Sequence, residues 1–77
     1  SALLKKQVKV VKRSPLLYFY LGRVEQQRGL LREAEHAYEA AISMRENFDQ
    51  AHLALAELYE EMNQEQAALE RYQRVYE

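Results

Sequence analysis

The sequence has no cysteine, a single proline and two glycines, and each scarcity removes a class of solution. Without cysteine there can be no disulfide and no thiolate metal site, so helix packing must hold the core together alone. The redox compartment is left open by the same absence. Only Pro15, Gly22 and Gly29 interrupt a chain rich in Ala, Leu, Glu, Gln and Arg, the strongest intrinsic helix formers, so the expected class is all-α. No apolar run approaches the roughly 18 residues of a membrane span. The N-terminal stretch also lacks the apolar centre of a signal peptide, and a soluble, cytoplasmic protein is expected. Opening on Ser1 rather than Met suits a processed product or an excerpt of something longer.

Acids are missing from the first part of the chain: Lys5, Lys6, Lys9, Lys12, Arg13 and Arg23 all precede the first of them, Glu25. The net charge of −1 therefore hides a basic beginning and a more acidic remainder. Such polarity favours head-to-tail contacts or an acidic partner at the basic end, within a screening length of about 10 Å at 0.1 M salt. The overall balance is not that of a nucleic-acid binder. The Lys-rich opening segment also carries few bulky anchors for a membrane surface, so a solvated helix face is expected there. At 77 residues the chain should form one domain of modest stability, because chains of about 60 residues bury only about 60% of their unfolded surface.

Apolar periodicity divides the chain into five segments. Leu3, Leu4, Gln7, Val8 and Val11 make one stripe over Leu3 to Lys12. Ser14 and Pro15 then supply a cap and a first helical turn for a helix to about Arg28. Gly29 suits a left-handed helix end, and Ala34, Ala37, Tyr38, Ala41 and Ile42 mark a helix from Leu31 to Met44. Asn47 and Asp49 offer the next cap. Ala51, His52, Leu55, Leu58, Tyr59 and Met62 trace the fourth helix, Asn63 stands where Gly29 stood, and Ala68, Leu69, Tyr72, Val75 and Tyr76 line a last helix from about Glu65.

Several of these residues recur at one offset of 34 residues: Leu21 with Leu55, Gly22 with Ala56, Gly29 with Asn63, Ala34 with Ala68, and Tyr38 with Tyr72. Aromatic rings fill gaps between helices, and small residues let two helices approach. Against the pattern W-x2-L-G-x2-Y, A-x3-F, P the chain reads Tyr18, Leu21, Gly22, Glu25, Ala34 and Tyr38. It then reads His52, Leu55, Ala56, Tyr59, Ala68 and Tyr72. It resembles two consecutive tetratricopeptide repeats, departing at Glu25, His52 and Glu46, where the pattern has Tyr, an aromatic and Pro.

The resemblance implies antiparallel helix-turn-helix repeats in a short right-handed superhelical solenoid of about five helices. Residues 1–14 would be a helix of a preceding, incomplete repeat, 15–48 the first repeat and 49–77 a truncated second. It further implies a concave, protein-binding groove lined by Leu16, Phe19, Tyr20, Arg23 and Gln27, and by Gln50, Leu53, Ala54 and Glu57. Phe19, Tyr20 and Leu53 would be its apolar anchors, with Arg23 and Glu57 orienting a partner. The Lys, Asn and Arg set with which some relatives grip a terminal carboxylate is not matched. Phe19 and Arg23, or Tyr20 and Ala54, stand there instead, so an apolar or amphipathic segment of another protein is the expected ligand.

Chemistry of other kinds has little to work with. His36 could be joined by Glu33 or Glu39 at a metal, but metal sites normally need three or four placed ligands, and a solvated face is expected. His52 is expected half-buried in packing. Pairs such as Glu33 and Glu35, or Glu60 and Glu61, do not face one another on a helix. With no nucleophile-base arrangement or phosphate loop, no enzyme, cofactor, metal or small-molecule substrate is expected. Tyr18 and Tyr20 cannot share one core. An alternative to the groove is structural: repeats bury their faces by stacking, so an edge at Tyr72, Val75 and Tyr76 suits homo-oligomerisation.

Overall fold

Ser14 opens the first helix as the sequence predicts: its backbone is extended, and its Oγ accepts a hydrogen bond from the Leu17 amide at 3.1 Å. Pro15 follows in the first turn, where its missing N–H costs nothing. The computed structural model describes residues 14–76, which form α1 (Pro15–Gln27), α2 (Leu31–Met44), α3 (Asp49–Glu61) and α4 (Glu65–Tyr76). There is no strand among the described residues. The helix expected over Leu3 to Lys12 lies outside them.

The turns after α1 and α3 are built alike. Gly29 is left-handed (φ 80°), with its amide donating to Gln26 O and that of Leu30 to Glu25 O. Asn63 (φ 61°) repeats this with Glu60 O, and Gln64 with Tyr59 O. Both are Schellman closures, which satisfy carbonyls the helix leaves free. The starts of α1 and α3 (15 and 49) and of α2 and α4 (31 and 65) are each 34 residues apart. Such short turns make each pair antiparallel; α2 packs on α3, and α1 also reaches α3.

The expected cap at Asn47 or Asp49 is replaced. Phe48 occupies the position with no side-chain bond to the helix, its carbonyl accepting from the Ala51 and His52 amides. The reason is packing: the Phe48 ring is buried, 5.4 Å from that of Phe19, with the Arg45 guanidinium 5.2 Å from its centroid. Asp49 instead lies in the first turn, where its charge complements the helix dipole.

Tyr38, Leu55, Leu58 and His52 are the largest fully buried side chains. Gly22 makes room for Tyr38: a Cβ there would lie 2.7 Å from the ring. The hydroxyl of Tyr38 donates to Gln26 Oε1 at 2.7 Å, and that of Tyr59 to Glu35 Oε2 at 3.2 Å, so the buried tyrosines keep partners for their polar ends. On α4 only Ala68 of the predicted stripe is buried; Leu69 is exposed and Tyr72 and Val75 are half-buried. With α3 on one side, α4 has too few neighbours to cover the rest.

Candidate functional site

Leu16, Tyr20, Arg23 and Gln27 follow one another at helical spacing on α1, as do Gln50, Leu53, Ala54 and Glu57 on α3. Four of the nine predicted groove residues, Arg23, Gln27, Ala54 and Glu57, line one depression of about 280 Å³ between these helices. Tyr20 is 56% exposed and Leu16 50%, Gln50 is exposed and Leu53 half-buried, but these four do not line the depression.

Phe19 is placed differently from the expectation of a free anchor. It is 7% exposed, its ring 5.4 Å from Tyr20, 6.0 Å from Tyr38 and 5.4 Å from Phe48. The Arg23 guanidinium lies 5.8 Å from its centroid, within cation–π range. Phe19 therefore supports the surface from beneath, fixing Tyr20 on one side and Arg23 on another. The accessible aromatic is Tyr20.

Two further residues complete the depression, Gln26 and Glu61. Gln26 Nε2 donates to Glu61 Oε1 while its own Oε1 accepts from Tyr38, so a chain of hydrogen bonds ties the core tyrosine of α2 to the end of α3. Burial, opposed by Arg23 and reinforced by Glu57 and Glu61, pushes the Tyr38 hydroxyl up to about 12. It stays a donor at neutral pH. The signal for Gln26 and Glu61 was helical spacing alone, three residues beyond Arg23 and four beyond Glu57.

His52 is fully rather than half buried, at 1% exposure. Its Nε2 lies 2.8 Å from Glu46 O and its Nδ1 3.4 Å from an Arg71 nitrogen. Since a guanidinium can only donate, Nδ1 accepts and the Nε2–H donates, which links the α2–α3 connection to α4. The predicted aromatic slot is thus filled by an imidazole because both ring nitrogens find partners. His36 is exposed, and among the described residues no group of three or more His, Asp or Glu is placed to hold a metal ion.

No protein family, curated protein or solved structure matches the chain.

Two larger depressions lie elsewhere. One of about 500 Å³ has Tyr18, Leu21, Ala37 and Ala40 in its lining, and one of about 460 Å³ has Glu60, Leu69 and Tyr72. Of the predicted edge residues, Tyr72 and Val75 are half-buried and Tyr76 is 73% exposed. Tyr18 and Tyr20 diverge as expected, the first packing against the core and the second facing outward. No helix among the described residues is long and apolar enough to cross a membrane.

Proposed function

We propose that the chain is a pair of tetratricopeptide repeats in a short right-handed solenoid, acting as a non-catalytic adaptor. Its α1–α3 face binds an apolar or amphipathic segment of another protein. The observation that carries this reading is the convergence of Arg23, Gln27, Ala54 and Glu57 on one depression, with the exposed ring of Tyr20 and side chain of Leu16 at helical spacing before Arg23 on α1. An apolar half next to a half bearing both charge signs suits a helix with one greasy face and a polar flank. Tyr20 replaces Phe19 as the principal anchor because its ring is accessible yet braced, and a braced aromatic loses little entropy on binding.

Capture from lysate with the unaltered chain and with the double variant Tyr20→Ala, Arg23→Ala tests this. Both side chains are exposed, so the variant should keep its helical circular dichroism. A protein held by the first and lost by the second supports the groove. Truncating Tyr20 alone should cost about 1–2 kcal/mol of affinity. Identical captures would mean that the face is idle.

A further inference from the structure

The junction between α2 and α3 is closed, and both halves of it occur a second time, open. On α3, Leu55 and Leu58 are 0% exposed and Tyr59 is 7%, with the Tyr59 hydroxyl reaching Glu35 on α2. The residues 34 positions earlier, on α1, are Leu21, Val24 and Glu25; Leu21 is 44% exposed and Val24 51%. On α2, Tyr38 and Ala41 are 0% exposed. Their counterparts on α4, Tyr72 and Val75, remain half-buried, and the neighbouring Leu69 and Tyr76 are exposed. The outer side of α1 thus repeats the surface that α3 presents to α2, and the outer side of α4 repeats the surface that α2 presents to α3.

Charge along the two open faces is complementary in the same register. Inside the molecule, Gln26 bonds to Glu61, and Glu57 acts on Tyr38. Advancing Gln26 and Tyr38 by 34 residues gives Glu60 and Tyr72; setting Glu57 and Glu61 back by 34 gives Arg23 and Gln27. Between chains the Gln26–Glu61 bond would become Glu60 with Gln27, and the Glu57–Tyr38 pair would become Arg23 with Tyr72, which brings a guanidinium to the place where Glu60 lies. Glu60 already lies against Tyr72, raising that hydroxyl after burial itself. The apolar parts match as well, Leu69 and Tyr72 lining one depression and Tyr18 and Leu21 the other.

We infer that the partner for these faces is a second copy of the chain: α4 of one copy seats on α1 of the next, repeating the α2–α3 junction, with Glu60 of one facing Arg23 of the other. The contact is heterologous, each copy offering a different face, so it propagates rather than closing on a dimer. It goes beyond the groove reading and does not rest on it, because the assay contains only the chain itself.

Sedimentation equilibrium over a micromolar-to-millimolar series tests the stack. The average mass should climb past that of a dimer without a plateau. Leu21→Glu blocks one face and Tyr76→Glu the other, so each variant alone should remain monomeric. Mixed, they should form a one-to-one pair and nothing larger, because each still offers the face the other needs. Arg23→Glu should weaken association about tenfold, and Glu60→Arg in the same chain should restore it. An unaltered chain that stays monomeric throughout, as when its own residues 1–13 or nothing at all covers Leu21, would overturn the inference. So would variants that still associate singly or fail to pair when mixed.

Discussion

Gly22 and Tyr38 are complementary at the level of single atoms. A methyl at position 22 would meet a ring carbon at 2.7 Å, and the ring belongs to a side chain with no exposed surface to retreat into. Alanine is the better helix former by about 1 kcal/mol, whereas overpacking a core costs about 1–3 kcal/mol. Gly22→Ala is therefore expected to lower stability, as a urea titration would read. Tyr38 also sets an alkaline limit. Its hydroxyl titrates near 10.0 when free and near 12 when folded, so the folded state holds the proton more tightly. That contribution is complete below pH 10 and is lost as pH rises toward 12. Tyr59 and Tyr72, also raised, act in the same direction. Tyr38→Phe should cost about 1 kcal/mol at neutral pH through the lost bond to Gln26 and flatten the decline in melting temperature between pH 10 and 12.

Each helix pair turns on one left-handed residue, and the two turns differ in who occupies it. No atom crowds a Cβ at Gly29, so Gly29→Ala should destabilise through backbone strain alone, by about 1–2 kcal/mol. Asn63→Gly, relieving the same conformation, should raise stability by less than about 1 kcal/mol. Removing the cap with Ser14→Ala should cost about 1 kcal/mol and speed amide exchange in the first turn of α1, measurable by NMR. These ends were legible because caps and Schellman turns are local: Ser14, Pro15, Gly29 and Asn63 act on neighbours within five positions. The start of α3 was not, since Phe48 is held by Phe19, a residue distant in sequence. The same contact hid the burial of Phe19, which shares a helical spacing with Arg23 and read as surface. His52 looked half-buried because its partners, Glu46 O and Arg71, lie on other segments.

For the molecule as a whole, the four described helices present three open surfaces with different chemistry. The α1–α3 face combines Tyr20 with the Arg23, Gln26, Glu57 and Glu61 depression, while the outer sides of α1 and α4 are more apolar and match one another in register. Of the nine groove residues that the resemblance to tetratricopeptide repeats implied, four line one depression; which aromatic is accessible depended on packing between α1 and the loop before α3. A partner segment should therefore discriminate among the surfaces. The most direct test is a two-dimensional NMR titration of the chain with the segment of a captured protein, at a concentration where the chain is monomeric. Binding to the proposed groove predicts the largest shifts at Leu16, Tyr20, Arg23, Leu53 and Glu57; shifts confined to Leu21, Ala37 and Ala40, or to Leu69 and Tyr76, would contradict it.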